Sequence, residues 1–153
     1  MLINSQAKKV YPVAIGSSRA VAGGTGDNTA VEVSAGIDTA NYSSALVIVT
    51  GSATLANTES LALTVTTTEC DTLGGSYTAK ETLADAVTLV TSGGATHVGA
   101  VAYAIDLDDY ERYVKVSFTP NLSASGTDTS TLACTLLLCD SKTLPITLPT
   151  TFA

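Results

Sequence analysis

The chain has 153 residues, which is enough for one domain with a sizeable core but not for two independent domains. Its 7 lysines and arginines against 14 aspartates and glutamates give a formal net charge of −7, which repels phosphate backbones and argues against nucleic-acid binding. Only 14% of the residues are charged although 45% are hydrophobic, so the surface is either partly buried against other subunits or covered by small polar residues.

Residues 1–9 predict an extended N-terminal arm. Its Lys8-Lys9 pair lacks the interleaved aromatic residues of a single-strand-binding groove, and no long apolar run follows it as in a secretory signal. The longest nearly apolar runs, Ala45–Val49 and Leu132–Cys139, are too short to cross a bilayer. We therefore expect a chain that is made and folded in a cytoplasm and has no membrane partner.

Runs of β-branched residues separated by glycine, asparagine and serine predict a sandwich or barrel of β-strands. The first strand is Val10–Ile15, where Pro12 restricts it to an edge position or a strand start. A long flexible loop is predicted for Gly16–Asn28. Thr29–Ile37 then alternates apolar and polar residues, with Ala35 among those that face the core.

The segment Ser44–Thr50 is apolar on both faces, which is typical of a central strand covered on both sides. Its outer cover is a candidate contact with another subunit. Leu61–Thr68 returns to alternation, with Leu61, Leu63 and Val65 inward and threonines outward, which favours a strand over a helix.

The segment Thr78–Val90 fits two structures. Leu83, Val87 and Val90 have helical spacing, whereas its last residues also form a strand pattern. We expect a loop or a single helical turn followed by a strand. The lone histidine, His97, is placed in a glycine-rich loop.

The segment Ile105–Pro120 predicts two strands joined by an acidic corner. Val114, Val116 and Phe118 share the core face of the second strand. The corner carries four carboxylates: Asp106, Asp108, Asp109 and Glu111. They favour a turn, since aspartate tolerates turn conformations, and lack the glycine and glutamate spacing of an EF-hand calcium loop. A calcium site is the alternative, and no metal site is predicted.

A polar loop, Asn121–Ser130, precedes the last strong strand at Thr131–Cys139. The three cysteines are odd in number and show no metal-binding or redox spacing, so they are predicted to be buried small apolar residues. Cys134 and Cys139 lie five apart on one strand and should point to opposite faces. The tally is about eight strands in one all-β sandwich domain.

The C-terminal tail, residues 141–153, combines prolines with apolar residues. Pro145 and Pro149 bar it from a central strand. Its apolar side chains still need burial, either along the edge of their own sandwich or on a neighbouring subunit in the manner of strand addition: Leu144, Ile146, Leu148 and Phe152.

The histidine, serine and glycine motifs of the sequence do not predict an enzyme. Nucleophilic catalysis needs a base within hydrogen-bond reach, and His97 is the only histidine. No serine lies in a Gly-x-Ser-x-Gly elbow, and Gly23-Gly24-Thr25-Gly26 lacks the lysine and the helix start of a phosphate loop. We predict no catalytic residues and no cofactor.

Two motifs carry a family resemblance. Ile37-Asp38-Thr39-Ala40-Asn41-Tyr42 is followed by the apolar strand Leu46-Val47-Ile48-Val49, and Ile105-Asp106-Leu107 is followed by Arg112-Tyr113-Val114-Lys115-Val116. Together they resemble the small head-decoration, or cement, proteins of tailed bacteriophages over roughly residues 31–139. The chain departs from the family's Gly-Gly-x-x-x-x-Leu-Pro ending, where it has Cys139-Asp140-Ser141-Lys142-Thr143-Leu144-Pro145.

The resemblance implies an antiparallel, jelly-roll-like β-sandwich of the virion, often trimeric, that binds the outer capsid surface and stabilises the head without catalysis. Its partners would be the major capsid protein and further copies of itself. The expected partner-binding residues are the apolar residues of the arm and tail: Leu2, Ile3, Leu144, Ile146, Leu148 and Phe152. The alternative is a sugar- or receptor-binding module of a phage tail or fibre, which would need an exposed aromatic platform.

Overall fold

A computed structural model describes the backbone of residues 11–14, 19–22, 32–33, 35–83, 89–90, 95–123 and 128–143, and the side chains of residues 35–83, 96–123 and 128–143. These segments contain eleven strands and one short 3₁₀ helix, Leu107–Asp109. The strands are β1 (Tyr11–Ala14), β2 (Arg19–Ala22), β3 (Glu32–Val33), β4 (Ile37–Asp38), β5 (Tyr42–Leu55), β6 (Ser60–Cys70), β7 (Thr78–Thr82), β8 (Leu89–Val90), β9 (Ala95–Asp106), β10 (Tyr113–Leu122) and β11 (Thr129–Ser141).

The strands form two antiparallel sheets that pack as a jelly-roll sandwich. One sheet has the order β1-β11-β5-β9, with β2 also on β11, and the other has the order β3-β10-β6-β7, with β4 on β10 and β8 on β6. Three pairs of short strands each occupy one position in a sheet: β1 with β2, β3 with β4, and β7 with β8. Eight strand positions remain, and the chain passes between the two sheets in the order of a jelly roll. The all-β, jelly-roll-like sandwich of about eight strands is confirmed.

The core lies between the two sheets and is built from alternate residues of each long strand. Val47, Val65, Val116, Phe118 and Leu136 are fully buried in it. Their neighbours in sequence point outward, as the period of two requires. The inward faces predicted for Leu61–Thr68 and for the strand after Tyr113 are therefore confirmed.

Three predicted elements differ from the structure because long-range pairing decides them. Residues 19–22, predicted as loop, form β2 along Thr129–Leu132. Thr78–Thr82, predicted as loop or helical turn, is a strand on β6, so sheet hydrogen bonds override the helix propensity of its alanine and glutamate. The strand predicted at Thr29–Ile37 is divided between β3 and β4, and Ala35 between them is exposed rather than in the core.

The two resemblance motifs meet in one corner. Tyr113 pairs with Asp38 in the β10–β4 ladder. The backbone N–H and the hydroxyl of Thr39 both donate to the Arg112 carbonyl at 2.9 Å, and Thr39 is buried. The Arg112 guanidinium donates to both carboxylate oxygens of Asp38, and this hydrogen bond is the main cause that holds the Asp38 pKa below its ordinary value. Asp38 and Arg112 lie 74 residues apart in sequence, and their contact joins the two motifs in the folded chain.

Substitution Thr39→Val should lower the free energy of unfolding by about 1 kcal/mol, the usual net value of a neutral hydrogen bond. Valine keeps the shape but removes the hydroxyl that donates to Arg112, while the backbone N–H bond to the same carbonyl remains. Urea unfolding measures the effect. Thr64→Val, at an exposed position on β6, is the control and should leave the midpoint nearly unchanged.

Candidate functional site

The six predicted partner-binding residues lie outside the described residues. These are Leu2, Ile3, Leu144, Ile146, Leu148 and Phe152. Their role stays a prediction, and the candidate site is assembled below from the described surfaces.

The acidic corner has the hydrogen bonds of a structural turn. The Asp106 carboxylate accepts the backbone N–H of Asp108 at 3.1 Å, which caps the 3₁₀ helix. Asp108 forms an ion pair with Lys142, and the Glu111 backbone N–H donates to the Glu69 carboxylate. Within the described segments, no three histidine, cysteine or acidic side chains are grouped closely enough to hold a metal ion.

His97 lies on β9 and not in the predicted loop, because Ala95–Leu55 and the following pairs extend the ladder with β5. It lines an apolar cavity of about 190 Å³ between β5, β6 and β9, together with Leu61, Leu63 and Val101. Its Nε2 atom is buried and has no hydrogen-bond partner among the described atoms. The lining is mainly apolar, and its polar side chains belong to Thr50, Ser52 and His97.

Three of the five tyrosines whose side chains the structure describes make cation contacts within the protein. Tyr77, Tyr110 and Tyr113 are half-buried, and each has a cation over its ring, at 4.0 Å, 5.0 Å and 5.1 Å from the centroid. The Tyr110 hydroxyl also donates to Glu81, and burial raises its pKa. These rings are therefore engaged within the protein, which disfavours sugar stacking on them.

The cysteines follow the predicted faces. Cys134 points into the core with 1% of its surface exposed, and Cys70 is also buried. Cys139 is half-buried rather than buried as predicted, because it lies among the outward-facing residues of β11. The prediction that Cys134 and Cys139 point to opposite faces is confirmed.

Alkylation should modify Cys139 before the other two thiols. Cys134 is 1% exposed, which closes it to the reagent, and burial raises its pKa to about 11, so it carries almost no thiolate at pH 8. Burial and the Asp140 charge raise the pKa of Cys139 as well, but Cys139 is only half-buried and is therefore the more accessible thiol. Peptide mapping after a short reaction with iodoacetamide should find label at Cys139, and the Cys139→Ser variant should lack this fast reaction. Early label at Cys134 would contradict the packing of β11.

The outer faces of the two sheets differ in chemistry. The face formed by β6 and β10 is polar and includes four threonines, one serine, one asparagine and one lysine: Thr64, Thr66, Thr68, Lys115, Ser117, Thr119 and Asn121. Cross-strand pairs such as Ser117 with Thr66 and Thr119 with Thr64 continue it across the ladder. This polar face needs no protein partner to be stable in water.

The opposite outer face, which we name the apolar face, lies at the centre of β11, β5 and β9. It consists of Leu46, Ile48, Ala100, Ala102, Ala104 and Leu137. The three alanines are exposed and the three larger side chains are half-buried, while nearby Val98 is 83% exposed. Sequence reasoning predicted an outer cover for Ser44–Thr50, which stays a prediction, and it missed the alanines as part of the same surface. Their alternation with Val101, Tyr103 and Ile105 was the available signal.

Similarity to known proteins is confined to the fold. No protein-family model and no curated protein sequence matches the chain. Among solved structures, the chain is similar to VP2 in the subviral particle of infectious bursal disease virus, with a TM-score of 0.57 and 16% identity over 90% of this chain and 34% of that one. VP2 of the T=1 particles derived from the same virus gives 0.51 and 15% over 88% and 32%.

A further similar structure is the PBSX exported protein XepA, with a TM-score of 0.46 and 12% identity over 93% of this chain and 41% of that one. The chain spans about a third of the length of the VP2 proteins it matches. The likeness to the two VP2 structures shows a shared fold and nothing finer. Within the described residues, no helix has the length and hydropathy that a membrane span requires.

Proposed function

We propose that the chain is a non-catalytic structural protein of a virion, a decoration protein that binds the outer surface of a bacteriophage head and stabilises it. The observation that carries the proposal is the jelly-roll strand order combined with the contact between the two resemblance motifs at Asp38 and Arg112. Jelly rolls recur in viral capsid and lectin domains, so the fold alone does not select this function.

The surface chemistry supports a binding role over catalysis. The apolar face has no carboxylate or amine at its centre, and the single histidine lines an apolar cavity. A decoration protein gains its affinity from contacts repeated over many symmetric copies, so no single contact has to be strong. The partner would be the major capsid protein, and the resemblance implies a homotrimer.

Binding to heads tests the proposal directly. Heads assembled from the major capsid protein encoded in the same genome are mixed with the purified chain and sedimented. We expect the chain to co-sediment at a fixed ratio to the capsid protein and to raise the temperature at which the heads release their contents. Absence of co-sedimentation together with an unchanged release temperature would overturn the capsid role.

A glycan array is the comparison for the alternative function. A sugar- or receptor-binding module would bind defined glycans and leave head stability unchanged. The engagement of Tyr77, Tyr110 and Tyr113 with cations within the protein argues against that outcome.

A further inference from the structure

The cavity beside His97 lies between the two sheets and opens at the edge of one of them. Gly99 on β9 is paired with Gly51 on β5, and both line the cavity. The opposite wall is formed by Leu61 and Leu63 of β6, which are 4% and 5% exposed. Gly99 is exposed although it has the parity of the inward residues of β9, which is the last strand of its sheet in the described part of the chain. The cavity is therefore accessible along β9 and closed at β6.

The two glycines of this cavity lack a side chain for different reasons. At Gly51, a Cβ atom would collide with the backbone of β11, so close packing of β5 and β11 requires glycine. At Gly99, a Cβ atom would meet nothing within 4 Å, and the residue does not have the positive φ that favours glycine. Glycine inside a strand destabilises the folded state relative to alanine, and it often marks a place where a ligand approaches the backbone. An open cavity accounts for Gly99, whereas the fold does not require it.

The size and the lining of the cavity define the class of ligand. Its volume is about 190 Å³, and an apolar cavity of about 150 Å³ is large enough to hold benzene. No acidic residue, lysine or arginine is among the described residues that line it. Thr50 and Ser52 have the parity of the outward residues of β5, and the Nε2 atom of His97 is buried. A charged ligand would lose its hydration here without gaining a counter-charge.

We propose that this cavity binds one small, uncharged, apolar group about the size of a six-membered ring, which enters at the edge of β9. Such a group removes the apolar surfaces of Leu61, Leu63 and Val101 from water, which is favourable. At Gly99 it contacts the bare backbone. The group is either a free molecule or an apolar side chain of a partner, and the site does not rest on the proposed capsid role.

Nuclear magnetic resonance tests the site on the free, full-length protein with toluene as the probe. We expect saturable binding at one site, with shifts in the amide signals of Leu63, Gly99 and Val101. The signals of Lys115 and Thr119, on the polar face, should not move. Absence of saturable shifts, or shifts centred on the polar face, would overturn the proposal.

Benzoate tests the uncharged character of the ligand, because it keeps the ring of toluene and replaces the methyl group with a carboxylate. We expect benzoate to bind at least about tenfold more weakly than toluene, since nothing in the lining compensates its charge. Equal binding of the two probes would contradict the proposed class of ligand.

A side chain at position 99 tests the location of the ligand. Gly99→Leu fills part of the cavity and should weaken toluene binding at least about tenfold. Ala102→Leu is the matched control, because it adds the same side chain at an exposed position on the outer face of β9, and it should leave the affinity unchanged. Circular dichroism checks that both variants are folded. Equal affinities of the two variants would overturn the proposal.

Gly99→Ala keeps the test decisive if Gly99→Leu does not fold. Its Cβ atom has open space around it, so the sandwich accommodates it, and the lost volume should weaken toluene binding at least about threefold. An affinity equal to that of the wild type would overturn the proposal in the same way.

Co-sedimentation with heads distinguishes the two sources of the group. Loss of binding to heads in Gly99→Leu, with Ala102→Leu still bound, supports an apolar side chain of the capsid protein as the occupant. Unchanged binding to heads in Gly99→Leu supports a free molecule. A wild-type chain that binds toluene but not heads would contradict the proposed function alone, and one that binds heads but not toluene would contradict the cavity site alone.

Discussion

Phe118→Ala should destabilise the sandwich by about 3–5 kcal/mol, the range for truncating a buried aromatic residue. Phe118 is fully buried on β10 in the main core between the two sheets. Its removal loses the transfer free energy of the ring and leaves a cavity that flanking strands cannot fill without breaking their ladders. This loss is a large fraction of the roughly 5–15 kcal/mol that ordinary domains have.

Urea unfolding followed by circular dichroism measures this effect as a lower midpoint with an unchanged slope. Thr119→Ala is the matched control, because Thr119 is the next residue on β10 and points to the outer face. It should change the free energy of unfolding by no more than about 0.5 kcal/mol. Equal effects at positions 118 and 119 would mean that the β10 register is wrong.

The core-facing side of β10 was predictable from the sequence, and so was the all-β sandwich. Alternation of Val114, Val116 and Phe118 with polar neighbours depends on one strand alone, and the structure buries all three. The short strands were not predictable in this way. β2 and β7 exist because distant strands offer them hydrogen-bond partners, and their own residues carry little apolar periodicity.

The candidate site was likewise only partly predictable from the sequence. The sequence located the acidic corner and its turn chemistry because an aspartate caps an amide two residues away, as Asp106 does for Asp108. It did not locate the apolar face, since that surface brings together β9, β5 and β11 from three distant parts of the chain. It misplaced His97 because glycines on either side of it are typical of a loop, whereas pairing with β5 places residues 95–99 in β9.

One of the glycines near His97, Gly99 on β9, is paired directly with Gly51 on β5. A substitution at Gly51 has the second large expected effect. A Cβ atom at Gly51 would collide with the Thr131 carbonyl oxygen and lie 2.9 Å from the Leu132 Cα, whereas a Cβ at Gly99 would meet nothing within 4 Å. Gly51→Ala should therefore cost about 1–3 kcal/mol, because β5 and β11 must separate to accommodate one methyl group.

Gly99→Ala is the control for the same chemical change, and it should stabilise the protein by up to about 1 kcal/mol, since alanine loses less conformational freedom on folding. The two variants distinguish two explanations. Either β11 lies too close to Gly51 for a side chain, or the β5–β9 ladder tolerates no side chain at this pair of positions. Thermal unfolding of both proteins at one pH gives the two shifts in opposite directions. Destabilisation by both substitutions would instead mean that the β5–β9 pairing itself requires glycine, and it would contradict the open space beside Gly99.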